Sequence, residues 1–245
     1  MRKPEDLEDE TGRSIIAVIP ARKGSRRLPG KNTALLNGKP LVAHAIEVAL
    51  DAGVFSDVFV STNDPKVVEI AEEKGVALIE RPKELCEDAV PVDRALVHVI
   101  QFLEEKGECY GAACLMTPTA PLRTVEDVRG AVALLWEKNA DFVITVVPYD
   151  HTPFHALKIK EGILTPAFMP EDVFTYDQKL LPTLYRPVAV ARMGRWEAIK
   201  KYGTTFSPGM VPYILPPEHG LDVDNALDLE WAEFLLKRRN RQREL

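Results

Sequence analysis

Short apolar runs alternate with segments of helical periodicity along most of this chain, and this alternation constrains the fold more than any other feature. Ile15 to Ile19 reads as a buried strand, after which Leu41, Ala45, Ile46, Ala49 and Leu50 recur at helical spacing until Gly53. Asp57 to Thr62 is a second strand, followed by a helix from about Pro65 that stops at Gly75, and a short strand from Val76 to Ile79. Leu96, Ile100 and Leu103 mark a third helix ended by Gly107, and Ala112 to Met116 is a strand. Val125, Val128, Val132 and Leu135 mark a fourth helix before the strand Phe142 to Val147. Such alternation needs crossover connections, and right-handed crossovers build a doubly wound, mostly parallel sheet of the α/β class.

The pattern breaks between Pro148 and Pro187. There Pro153, Pro166, Pro170 and Pro182 sit among Tyr149, Phe154, Phe168, Phe174, Tyr176 and Tyr185. An irregular insert of this composition covers a site or meets another subunit. The alternation resumes with a strand from Val188 to Met193, a helix from Trp196 to Lys200 and a strand from Val211 to Leu215. A final helix carries Leu227, Trp231, Phe234 and Leu235 on one face, and its basic end, Lys237 to Arg241, complements the helix dipole. The expected organisation is one domain over residues 14–240, an insert at 148–187 within it, and a charged, disordered leader at 1–13.

Composition narrows the class. With 245 residues, 46% hydrophobic and 28% charged, the chain suits one large globular α/β domain. No apolar stretch approaches the roughly 20 residues that span a bilayer, and the leader lacks the apolar core of a signal peptide. A net charge of -6 without a long basic stripe argues against a nucleic-acid surface. Cys86, Cys109 and Cys114 form no disulfide or metal spacing, which fits a reducing cytoplasm. His151 and His155 are separated by Pro153, which speaks against a shared helix face and a zinc site.

Chemistry concentrates after the first strand. The segment from Pro20 to Asn32 holds Arg22, Lys23, Arg26, Arg27 and Lys31, with Gly24 and Gly30 allowing tight turns and close approach of a ligand. Ligands of open α/β sheets bind at the C-terminal ends of strands, so this cluster in an acidic protein points to an anion, with nucleotide phosphate the first candidate. A P-loop needs four residues between its glycines and Ser or Thr after its Lys. Here five residues separate Gly24 from Gly30 and Asn32 follows Lys31, and Gly-x-Gly-x-x-Gly is also absent. Near the other end, Asp222 and Asp224 stand two apart after Gly220 and would point to one side of an extended segment, an arrangement suited to Mg²⁺. The alternative for Asp224 is that it caps the last helix.

Five segments in register resemble one family. They are Pro20-Ala21-Arg22-Lys23-Gly24-Ser25 with Leu28-Pro29-Gly30-Lys31-Asn32 and Asn37-Gly38-Lys39-Pro40-Leu41; Val60-Ser61-Thr62-Asn63-Asp64; Arg81-Pro82-Lys83-Glu84-Leu85 with Asp88; Pro118-Thr119-Ala120-Pro121-Leu122-Arg123; and Leu221-Asp222-Val223-Asp224 with Asp228, Ala232 and Glu233. The chain thereby resembles the acylneuraminate cytidylyltransferases, the CMP-sialic acid synthetases and their relatives acting on bacterial nonulosonic acids. That resemblance implies a Rossmann-like nucleotidyltransferase fold of the GT-A type. It also implies attack by a sugar's anomeric hydroxyl on the α-phosphorus of CTP, with Mg²⁺ as cofactor. The nucleotide site would comprise Ala21, Arg22, Gly24, Ser25, Lys31, Asn32 and Arg81. Arg22, Lys31 and Asp222 would carry catalysis, and Asp222 and Asp224 would hold the metal.

The acceptor side departs from the family. Thr117 replaces a Gln, Val188 and Ala189 replace Asn and Gly after Arg186-Pro187, and only part of an Arg-Gln-Asp-Leu-Pro stretch survives at Gln178 to Pro182. A changed acidic acceptor is therefore expected, with Thr117, Arg123, Lys158 and Arg186 as candidate contacts; Lys158 and Arg186 read equally well as surface cations. The resemblance further implies a homodimer in which the 148–187 insert packs on a neighbour. Two other readings stay open: a 3-deoxy-manno-octulosonate type cytidylyltransferase, and a non-catalytic nucleotide-binding scaffold. Against the first, Pro118-Thr119-Ala120-Pro121 stands where that group has a Gly-Asp-Glu-Pro stretch.

Overall fold

The run Ile15–Pro20 is β1, buried at every position and central in a seven-stranded sheet. The structure, a computed structural model, describes residues 14–168 and 181–243. After β1 a small hairpin, β2 (Leu35–Leu36) and β3 (Lys39–Pro40), leads into α1 (Leu41–Ala52), which Gly53 closes with a left-handed φ of 61°. Then come β4 (Asp57–Thr62), α2 (Pro65–Glu73), β5 (Ala77–Glu80), α3 (Asp93–Glu105), β6 (Ala112–Leu115), α4 (Val125–Glu137) and β7 (Phe142–Pro148). A separate two-stranded hairpin, β8 (Leu157–Lys160) and β9 (Ile163–Pro166), precedes β10 (Tyr185–Arg195), α5 (Trp196–Tyr202), β11 (Val211–Ile214) and α6 (Ala226–Arg243).

The large sheet runs β11-β7-β10-β6-β1-β4-β5. Alternation along β1 divides the core between its two faces. Ile15, Ala17 and Ile19 pack with Val42, Ile46, Val67, Val128 and Leu135 from α1, α2 and α4. Ile16 and Val18 pack with Leu96, Ile100 and Leu103 of α3 and with Trp196 and Ile199 of α5. The mostly parallel, doubly wound expectation holds, with one antiparallel strand. β10 runs against both β6 and β7, and it begins at Tyr185 rather than Val188. Its register shifts between Pro187 and Arg192, where the buried Thr145 hydroxyl lies 3.1 Å from the Val188 carbonyl, 2.8 Å from that of Ala191, and accepts from the Ala191 N–H. Such an irregularity re-aims the side chains around it.

Helical spacing in α6 identified an apolar face, but not what that face touches. Leu227, Trp231 and Phe234 are exposed, while Leu235, together with Ala232 and Leu236, packs against Leu36, Leu41 and Leu122. The 148–187 region contributes the β8–β9 hairpin. Phe174, Tyr176, Gln178 and Lys179, as well as the leader at 1–13, lie outside the described residues. Among the described residues, no helix is long and apolar enough to cross a membrane.

Candidate active site

The chain leaves β1 toward β4 and β5 on one side and returns to β6 on the other, which places a topological switch point at the C-terminal ends of β1 and β6. Two loops meet there. One is the cation-rich segment after Pro20; the other is the turn Thr117 to Arg123 after β6. A cleft of about 170 Å³ between them is lined by Arg22, Ser25, Lys31, Asn32, Arg81 and Thr119, among others. A second cleft, of about 300 Å³, shares Val92, Thr117 and Thr119 with the first and continues to Arg186, Arg192, Phe206 and Asp222.

Carboxylates hold the loop's cations. The Arg22 guanidinium donates to the Cys86 carbonyl at 2.9 Å and pairs with Asp88, which also takes Arg26. The hydrogen bond from Arg22 keeps the Asp88 carboxyl below its ordinary pKa, against desolvation that pulls it upward and with the help of the nearby Arg26 charge. Lys31 Nζ lies 3.0 Å and Arg27 Nη2 2.8 Å from the same oxygen of Asp224. Asn32 donates from its amide to the Arg22 carbonyl at 3.0 Å and still lines the cleft. Arg81 is nearly buried, and burial lowers its pKa. Gly24 turns the loop with a φ of 94°. Ala21 is placed otherwise than expected. It is fully buried, its N–H donates to the Ser61 carbonyl at 2.9 Å and its carbonyl accepts from Thr62, so it anchors the loop without lining the cleft.

Asp222 opens onto the second cleft where it meets the first. Desolvation by the cleft walls pushes its carboxyl above the ordinary value, and the Asp224 charge adds to this; the Thr119 hydroxyl, Lys31 and Arg123 oppose it. The Val223 N–H donates to the Thr119 carbonyl at 2.7 Å and so fixes both aspartates beside the turn. Asp224 is not the cap of α6. Asn225 caps it through the Asp228 N–H at 3.1 Å, and Asp228 accepts in return from the Asn225 N–H at 3.0 Å, a reciprocal box that leaves the Asp224 carboxylate free for Lys31.

Of the expected acceptor contacts, Thr117 and Arg186 line the second cleft. Arg123 does not. Its side chain is buried and donates to the carbonyls of Thr117, Ala120 and Ala189, so it braces the turn from behind. Burial lowers its pKa to about 10. Lys158 stands exposed on β8 and lines neither cleft. Arg192 was missed by the sequence reading, yet it is a buried cation on the cleft wall. The signal for it was slight: a single charged residue inside an apolar strand.

The cytidylyltransferase family model matches residues 16–184, well over half of the chain and including the nucleotide loop. The chain belongs to the cytidylyltransferase family. This family member is 27% identical over 230 residues to the pseudaminic acid cytidylyltransferase of Campylobacter jejuni strain 81-176, covering 91% of this chain and 96% of that protein. It is 29% identical over 232 residues to the N-acylneuraminate cytidylyltransferase of Escherichia coli O18:K1:H7, covering 94% of this chain and 54% of that one. Its fold matches a solved CMP:2-keto-3-deoxy-manno-octonic acid synthetase complexed with CTP. The TM-score is 0.66 at 18% identity, over 92% of this chain and 99% of the other. The family makes the protein a nucleotidyltransferase, and the solved structure shows that its fold is Rossmann-like.

Proposed function

We propose that this cytidylyltransferase transfers CMP from CTP to the anomeric hydroxyl of an acidic sugar of the nonulosonic type, releasing pyrophosphate. The observation that carries this reading is the continuity of the two clefts across Thr117 and Thr119, with phosphate-type cations in one and Asp222 where they join. Negative charge grows on phosphoryl oxygens during the transfer, so preorganised cations there stabilise the transition state. Arg22 offers a fork to the triphosphate and Lys31 a point charge, each leaving its carboxylate partner as the nucleotide binds. Asn32 presents an amide to the base.

The donor set suits Mg²⁺. The Asp224 charge adds to the cost of ionising Asp222, which a divalent cation would relieve. Among the described residues no group of three or more ligating side chains forms, so the remaining positions would fall to phosphates and water, the usual habit of this ion. When bound, Mg²⁺ would neutralise phosphate charge. A homodimer is part of the same reading, supported by the exposed Ile159, Ile163 and Leu164 on the hairpin, as is a cytoplasmic location. The likeness to the octonic acid synthetase shows the fold alone.

The test is incubation with CTP, Mg²⁺ and a panel of pseudaminic, legionaminic, N-acetylneuraminic and 3-deoxy-manno-octulosonic acids, reading pyrophosphate. Release with at least one nonulosonic acid is expected. Release with the octulosonic acid alone would move the protein to the second reading, and no release at all would contradict both. Light scattering checks the dimer; a fully active monomer would contradict it.

A further inference from the structure

The second cleft holds a cation whose surroundings leave it short of acceptors. Arg192 is 8% exposed, and among the described residues its guanidinium is held only by an ion pair with Asp93 and by the Phe206 ring. The carboxylate facing it, Asp93, lies 3.5 Å away, too far for a strong hydrogen bond. Asp93 is moreover occupied: its Oδ1 accepts the Thr205 N–H at 2.9 Å and the Thr205 hydroxyl at 2.6 Å, leaving only Oδ2 toward Arg192. The Phe206 ring lies 4.8 Å from the guanidinium carbon and takes up one face of the group. A desolvated guanidinium with idle donors is costly unless an anion completes its fork.

Its position says which anion. Arg186, Arg192 and Asp222 line the same cleft, whose other walls include Pro187, Val188 and Ala189 and, among the described residues, no Asn or Gln side chain to read a neutral sugar edge. Arg186 is less buried than Arg192, so a ligand charge is less desolvated, and less strongly held, beside it. We propose that Arg192 is the specificity-determining residue of the acceptor cleft, binding the carboxylate of the sugar acid through its free guanidinium edge while Asp93, Thr205 and Phe206 hold it in place. This deepens the acceptor reading above and rests on it. It also accounts for the departure from the family around Thr117, Val188 and Ala189, because a buried fork supplies recognition that an amide would otherwise provide. Asp222 lies near enough for its charge to oppose the loss of Arg192's proton, so the arginine also shields an incoming carboxylate from that aspartate.

The experiment measures binding of pseudaminic acid and of its carboxamide, by calorimetry in saturating CMP, to the wild-type protein, Arg192→Gln, Arg192→Lys and the double variant Asp93→Asn/Arg192→Gln. The double variant removes both buried charges, so it guards against a folding failure of the single one. Wild type should prefer the acid by at least tenfold. Arg192→Gln and the double variant should weaken acid binding by between about tenfold and about a hundredfold, leaving carboxamide and CMP affinities unchanged, with Arg192→Lys intermediate. A wild-type protein that binds acid and carboxamide alike, or a glutamine variant that keeps the preference, would overturn the assignment. Pyrophosphate release is read separately. Selective binding without turnover would overturn the proposed reaction and support the anchor, whereas turnover indifferent to Arg192 would do the reverse.

Discussion

Lys31 Nζ lies 3.0 Å from Asp224 Oδ1, joining the nucleotide loop to the segment before α6 across 193 residues of sequence. Lys31 is the more buried of the two, so the pair holds its ammonium on the wall of the cleft.

Replacing Lys31 by Ala should lower kcat/KM for CTP by about 10² to 10³, the usual cost of removing a transition-state charge partner. Stability should change by less than about 1 kcal/mol, as is typical of a pair this close to solvent. Pyrophosphate release and thermal melting separate the two effects, and unimpaired turnover would contradict the placement of Lys31.

Metal dependence should run through Asp222. Since Asn225 and Asp228 cap α6, neither Asp222 nor Asp224 is needed to start the helix. Asp222→Asn should therefore raise the Mg²⁺ concentration for half-maximal activity several-fold, with the melting temperature no lower than that of wild type. A variant that melts earlier with an unchanged Mg²⁺ requirement would assign Asp222 a structural role instead.

Gly220 holds the aspartate segment against the sheet. A Cβ placed there would lie 2.7 Å from Val147 Cγ1 and 2.9 Å from Val188 Cγ1, both on packed strands. Gly220→Ala should destabilise the protein by about 1–3 kcal/mol, the cost of overpacking. It should also reduce turnover by displacing Asp222. A denaturant midpoint equal to that of wild type would show that the segment lifts away freely.

Much of the site was legible because its pieces are contiguous. Arg22, Ser25, Lys31 and Asn32 lie in one loop after a strand whose position in the sheet follows from its unbroken apolar run. Arg192 was not, because its burial follows from β10 entering antiparallel between β6 and β7, a pairing that no local pattern announces. Arg123 was misplaced for a related reason. Its neighbours Thr117 and Thr119 do line the clefts, but its own side chain turns inward to three carbonyls. The apolar stripe of α6 shows the same limit: periodicity put Leu227, Trp231, Phe234 and Leu235 on one face, yet only Leu235 of these joins Ala232 and Leu236 at the core, while the other three are exposed.

The start of α4 gives a pH signature. Asp127 accepts the Thr124 N–H at 2.8 Å in a capping box and pairs with His219. Burial pulls its carboxyl upward, but the bonds from His219 and Thr124 outweigh this and leave it below the ordinary 3.8. A depressed carboxylate contributes stability that is present above its unfolded pKa and is lost as pH falls through the folded one. Asp127→Ala should therefore cost about 1 kcal/mol at neutral pH, and the difference from wild type should shrink and vanish as pH falls through the depressed folded pKa of this carboxyl. Urea midpoints measured across pH decide this, and a gap that persists in acid would contradict it.

The central claim, that the acceptor's anomeric oxygen attacks the α-phosphorus, is tested most directly by an isotope. A nonulosonic acid accepted in the pyrophosphate assay is labelled with oxygen-18 at its anomeric hydroxyl, and the nucleotide product is examined by mass spectrometry and phosphorus NMR. The account predicts a CMP-sugar that retains the label in the bond between sugar and phosphorus, together with unlabelled pyrophosphate. A CMP-sugar whose bridging oxygen is unlabelled would contradict it.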